Sequence, residues 1–291
     1  MSASTLSARG IAPFDLFPYN PSAPAAWAFV VLFGLAAAVH FVYLIPLRAW
    51  FFIPFVLGCI GETFGYYGRA MAHDNIRDGG PYLLQMMLIL ASPPFLAASI
   101  YMTLGRVVRA LDAEHHALVR TRWLTKFYVL VDVACFVMQI MGSAMQASGD
   151  PAGIAQGMHI VLGGLIFQFV VFVLFVGMAG GFHAKLAREP TGVSMRVGVE
   201  GLWQRCMWAL YVASGLVLVR NGFRIVEFAD KSQRVAKTEA LLYVFDAALM
   251  FLVAVVLAVV HPGRLTRAVR KLGGDLHDED SEYVPLDGGR K

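Results

Sequence analysis

The chain has 291 residues, of which 58% are hydrophobic and only 15% charged, with a formal net charge of +4 and a mean hydropathy of +0.62. That balance lies far from the one soluble domains show and excludes the pair of soluble domains that the length alone would suggest. It points to an all-α membrane protein, a polytopic bundle solvated by lipid, with membrane lipids around it and no nucleic-acid partner.

Residues 1–26 hold no apolar core ahead of a small-residue cleavage site, so they read as an uncleaved extracellular tail, with the first span acting as the insertion signal. A hydrocarbon core of roughly 30 Å takes about twenty helical residues per crossing. Apolar runs of that length lie at about 27–47, 51–72, 82–105, 124–147, 156–180, 203–228 and 239–260, a seven-transmembrane-helix bundle over 27–260. The alternation of a barrel strand is absent, and open sheet edges do not survive in lipid. No repeat of one half by the other is visible, which speaks against paired inverted halves.

Orientation follows from where Lys and Arg fall, because positive charges near span ends stay on the cytoplasmic side. One set of segments carries Arg48, then Arg106, Arg109, Arg120, Arg122 and Lys126, then Lys185, Arg188, Arg196 and Arg205, then Arg264, Arg267, Arg270 and Lys271. The opposite set holds fewer, which places the N-terminus outside and the C-terminus in the cytoplasm. Residues 261–291 form the cytoplasmic tail. Its first part is basic and suited to the anionic inner leaflet; from Asp275 it is acidic, Gly-rich and expected to be disordered.

Ionisable groups inside the hydrocarbon are costly, so their placement is informative. Glu62, Tyr66 and Arg69 sit at i, i+4 and i+7 and share one helical face. Arg220, Arg224 and Glu227 repeat the spacing in the sixth span, and Glu239, Tyr243 and Asp246 in the seventh. Counted back from the loop between those spans, Arg220 and Asp246 lie at similar depth, about 12 Å in at 1.5 Å per residue, as do Arg224 and Tyr243. An Arg220–Asp246 pair is the expectation.

The fourth span carries Asp132, Gln139 and Gln146 on one seam, with Gly142 and Ser143 beside it permitting close helix approach. The fifth carries Gln156, His159 and Gly163 on one face, followed by Gln168. Together Glu62, Asp132, Glu227, Glu239 and Asp246 outnumber Arg69, Arg220 and Arg224, an acidic bias suited to a proton or a cationic head group. Pairing that merely packs the bundle is the alternative. Pro93 and Pro94 break the third span near mid-membrane and free carbonyls that must find other donors.

Catalytic motifs such as HExxH, GxSxG and the P-loop are missing, and the eight histidines show no paired metal-ligand spacing. No catalytic residue, metal site or cofactor is expected, and ATP cannot drive the protein directly. Cys59, Cys135 and Cys206 read as small buried hydrophobes.

These motifs carry a resemblance. Glu62-x-x-Gly65-Tyr66-x-x-Arg69, the stretch from Ala91-Ser92-Pro93-Pro94 to Gly105-Arg106, Asp132 with Gln139 and Gly142, Gly163-Gly164-Leu165-Ile166-x-Gln168, Arg220-x-x-x-Arg224-x-x-Glu227, Glu239-x-x-x-Tyr243-x-x-Asp246 and His261-Pro262-Gly263 run in one order along the chain. In them the sequence resembles the fungal lipid-translocating exporter family, the aminocholesterol-resistance proteins. It departs in having Gly142-Ser143-Ala144 where the family often has a longer glycine run.

The resemblance implies a plasma-membrane protein that exports amphipathic lipids or drug-like amphiphiles, sphingoid long-chain bases foremost, and in one branch haem or porphyrin. The polar residues of the spans would then bind substrate or exchange protons. A receptor-like lipid sensor and an intramembrane lipid-modifying enzyme are the alternatives, since fold does not fix function.

Overall fold

The computed structural model describes residues 15–17, 19–117, 121–146, 151–198, 201–230 and 234–282, and among these the chain is helical with no strand. The long helices are α1 (Ala23–Leu47), α2 (Ile53–Ala72), α3 (Gly79–Ala110), α4 (Thr121–Gln146), α5 (Pro151–Arg188), α6 (Leu202–Ala229), α7 (239–259) and α8 (Pro262–Glu282). Neighbours in sequence pack together from α1 through to α7, α7 returns against α1, and α3 crosses to touch α6. The result is a closed ring of helices with α8 lying across the end made by α1, α3 and α6.

Local chemistry explains the boundaries. Pro24 and Pro54 sit in the first turns of α1 and α2, where the missing N–H is an orphan in any helix. The Asp78 side chain accepts from the Gly80 N–H at 3.0 Å and caps α3. Arg48 closes α1 in the left-handed region at φ 47°. At 38 residues α5 is about 57 Å long at 1.5 Å per residue, well beyond a bilayer core. It therefore overshoots the 156–180 window, because the helix continues after its apolar stretch ends.

Six helical segments are long and apolar enough to cross a membrane among the described residues: α1, α3, Trp123–Gln146, Ala152–Arg188, α6 and Glu239–Leu272. The second expected span forms α2, 20 residues long, but Glu62, Arg69, two tyrosines and four glycines dilute its apolar content. The outer faces fit lipid. Leu35, Phe41 and Ile45 on α1, Leu130 on α4, and Phe167 and Leu174 on α5 are exposed large hydrophobics, which water would not tolerate as a continuous belt.

Close approach is purchased by small residues at two seams. A Cβ on Gly68 would lie 2.9 Å from the Pro81 carbonyl, and one on Gly65 2.7 Å from Ile89 Cγ1, so α2 and α3 meet backbone to side chain. On Gly142 it would lie 2.6 Å from the Gly157 carbonyl and 2.7 Å from Val161 Cγ2. Gly142→Ala is therefore expected to lower the thermal midpoint of the detergent-solubilised protein, an overpacking of about 1–3 kcal/mol. Gly177→Ala, with open space around its Cβ, is the control expected to leave the midpoint in place.

The tail differs from expectation. Its backbone is helical as far as Glu282, where disorder was expected from Asp275; residues 283–291, with Tyr283, lie outside the described set. Leu265 is buried and Val269 and Leu272 pack on the core, so the docked first half supplies a nucleus, and propagation beyond it adds one hydrogen bond per residue fixed.

Candidate functional site

The three triads converge. Arg220 Nε donates to Asp246 Oδ1 at 2.6 Å, the pair expected from matched depth, and Arg224 Nη2 donates to Asp246 Oδ2 at 2.7 Å. Asp246, 1% exposed, thus bridges two guanidiniums, and Arg224 Nη1 also reaches Glu227 on its own helix at 2.9 Å. Arg224, at the depth of Tyr243 by count, gives its hydrogen bonds to Asp246 and Glu227 and not to Tyr243. Residues Tyr243–Ala248 form a π-helical turn, with Tyr243 at its start and Asp246 within it.

Tyr243 goes to Arg69. Arg69 Nε donates to its hydroxyl at 3.0 Å, Arg69 Nη2 to Tyr19 Oη at 2.7 Å and to Glu239 Oε1 at 2.9 Å, and Arg69 Nη1 to Gln85 Oε1 at 3.5 Å. Glu239 Oε1 accepts in addition from the Ser22 N–H at 2.7 Å, and His73 Nδ1 lies 2.7 Å from the Pro21 carbonyl. The segment before α1 is in this way tied over one end of the network. Tyr66 joins the two halves, with its ring stacked on Phe33 at 5.8 Å and 6.1 Å from that of Tyr243.

Three groups in the middle are unfulfilled. Glu62, 1% exposed, interacts electrostatically with Asp246, Arg220 and Arg224 but has no hydrogen-bond partner among the described residues. Tyr66 Oη and Arg224 Nε are likewise buried without a partner. Buried polar groups are nearly always satisfied, so each exception needs a physical reason. Four carboxylates, Glu62, Glu227, Glu239 and Asp246, meet three guanidiniums here, so the network has room for one further positive charge.

The proline pair feeds the same network. Pro93 has no N–H to give the Ile89 carbonyl one turn back, and Arg220 Nη2 approaches that oxygen at 3.4 Å. Ser92 Oγ donates to the Leu88 carbonyl at 2.6 Å. The helix stays continuous through Pro93 and Pro94, a local disturbance repaired by side chains.

Not every expected residue joins. Asp132 stands in a separate relay on α4 and α5, where Gln168 Nε2 donates to Asp132 Oδ1 and Gln139 Nε2 to Gln168 Oε1, each at 3.1 Å. The seam ends there, because Gln146 turns back to the Gly142 carbonyl. With Asp132 apart, the acidic excess at the main network is one carboxylate, less than the sequence count gave. His159 is exposed and reaches none of these groups. Gly157 faces α4, and two residues on along a helix is about 200°, the far side. His159→Ala is expected to change the stability of the solubilised protein by less than about 0.5 kcal/mol in thermal melting, as for surface positions generally.

Sequence reasoning missed Tyr19, Gln85 and Asn221, which accepts from Arg220 Nη1 at 3.4 Å. Tyr19 lies outside any span and gave no signal. Gln85 was findable, as it stands opposite Gly68, the end of the stripe Gly58, Gly61, Gly65 and Gly68 whose spacing marks a helix seam. Among the described residues no group of three or more His, Cys, Asp or Glu is placed to hold a metal ion.

The family model described as RTA1 like protein matches residues 55–268, which takes in every helix of the network. The chain belongs to the RTA1-like family. Protein RTA1 of Saccharomyces cerevisiae is 31% identical over 275 residues, covering 86% of this chain and 85% of its own. The probable lipid transporter atnI of Emericella nidulans is 26% identical over 261 residues, 86% of this chain and 68% of its own. The sphingoid long-chain base transporter RSB1 of S. cerevisiae is 26% identical over 149 residues, 50% of this chain and 39% of its own. No solved structure matches the chain significantly.

Proposed function

We propose that this RTA1-like protein crosses the plasma membrane seven times, N-terminus outside, and moves amphipathic lipids, with sphingoid long-chain bases as its substrate class. The observation that carries the reading is the unfulfilled centre of the network, where among the described residues buried Glu62 accepts no hydrogen bond and Tyr66 Oη and Arg224 Nε have no partner. A sphingoid base ends in an amine next to hydroxyls. Its ammonium supplies the missing positive charge to Glu62, and its hydroxyls accept from Tyr66 or Arg224 while the alkyl chain stays in lipid.

The names of two relatives, a lipid transporter and a long-chain base transporter, support the same class. Between substrates, Glu62 is relieved by taking a proton, which gives the carrier an exchange partner without ATP or any covalent chemistry. The span that joins the six more apolar ones is α2, whose charges face inward onto α3, α6 and α7 instead of lipid.

The test is reconstitution. Purified protein in proteoliposomes is expected to accelerate the transbilayer movement of a fluorescent long-chain base over protein-free vesicles, and to leave a neutral ceramide analogue at the background rate. A base that moves no faster than in empty vesicles would overturn the proposal.

A further inference from the structure

At the other end of the bundle a cavity of about 170 Å³ opens between the start of α6 and the junction of α7 with α8. Its walls are Leu202, Val259 and Val260, and its polar groups are Arg205, Arg264 and His261. From these we propose a second site, one for the phosphate of an anionic phospholipid in the cytoplasmic leaflet, separate from the transport network.

The polar groups are all donors. The Gly263 N–H donates to His261 Nδ1 at 3.0 Å, so in the neutral ring the proton sits on Nε2. His261 is 2% exposed, and its Nε2 has no acceptor. Arg264 is held in place, with Nη1 on the Val259 carbonyl at 3.2 Å and its guanidinium over the Tyr43 ring at 5.8 Å. Its Nε and Nη2 groups make no hydrogen bond to the described residues. Neither Arg205 nor Arg264 has a carboxylate partner among the described residues. Two cations without a carboxylate partner beside a single cavity call for an anion with several acceptor oxygens, which describes a phosphate.

The walls decide the source. Val259 is 65% exposed and ends a helix whose outer surface meets lipid, so the cavity opens beside acyl chains and not into bulk water. Basic pockets between helices on the cytoplasmic side suit anionic head groups whose tails remain in the leaflet. Arg264 is preorganised, which lowers the ordering cost of binding.

The full chain in detergent micelles is measured by thermal melting with phosphatidylserine, with phosphatidylcholine of the same acyl chains, and with inorganic phosphate. Phosphatidylserine alone is expected to raise the midpoint. In native mass spectrometry its affinity is expected to fall at least about tenfold in Arg205→Gln/Arg264→Gln, the loss of charge-assisted hydrogen bonds. An equal rise with phosphatidylcholine would show mere solvation by lipid and overturn the site, as would an equal rise with inorganic phosphate or a double variant that keeps full affinity. The wild-type comparison stands even where the double variant fails to fold.

Discussion

Asp246→Ala is expected to leave little folded protein. Its carboxylate holds Arg220 at 2.6 Å and Arg224 at 2.7 Å in a position 1% exposed, so removal strands two guanidiniums in a low dielectric. Breaking one such buried pair costs about 3–5 kcal/mol, and here two pairs share one residue. Size-exclusion profiles and thermal melting should show aggregation or a large drop in midpoint, with transport at background. Asp246→Asn keeps the shape and one acceptor, and should fold in part while still losing transport. A variant with wild-type midpoint and wild-type efflux would remove Asp246 from both the fold and the mechanism.

That result would speak to packing before chemistry, since a buried pair holds a bundle together whether or not a substrate visits. The two roles are separated by which residues are already satisfied. Arg69, Arg220 and Asp246 spend their hydrogen bonds on protein groups. Glu62 does not.

Much of this was legible because helical spacing is a strict geometric rule. Charges at i, i+4 and i+7 in an apolar run must face inward, and the faces of α2, α6 and α7 follow from that alone. Gly142 announced close approach of α4 to a neighbour, and the structure supplies the partner, Gly157 on α5. What the sequence withheld depended on departures from the ideal period or on chain outside the spans. The π turn at Tyr243–Ala248 departs from the 3.6-residue period, and no residue type encodes it. Tyr19 enters the network from before α1, where a span-by-span count does not look. His159 shares a helical face with polar neighbours in α5, yet the face is the wrong one, because Gly157 fixes the side turned to α4.

The sharpest separation comes from Glu62→Gln. Glutamine has the shape of the protonated carboxylic acid, and no hydrogen bond from the protein is lost, because none of the described residues gives one to Glu62. Folding should tolerate it, with a midpoint equal to wild type or above it, since a buried group that can carry an unpaired charge is replaced by a neutral one. Transport should suffer instead. An amine donating to a neutral amide instead of a carboxylate falls from about 1.5–3 to about 0.5–1.5 kcal/mol, a loss of roughly tenfold in rate where that contact forms on the path. Glu62→Asp, which restores the charge one methylene short, should recover part of the activity. The decisive pattern is a stable Glu62→Gln protein that no longer moves long-chain bases beside an Asp246→Ala protein that no longer folds. If both variants lost stability and activity in step, Glu62 would belong with the packing pairs, and the network would be the adhesive of the bundle without being its site.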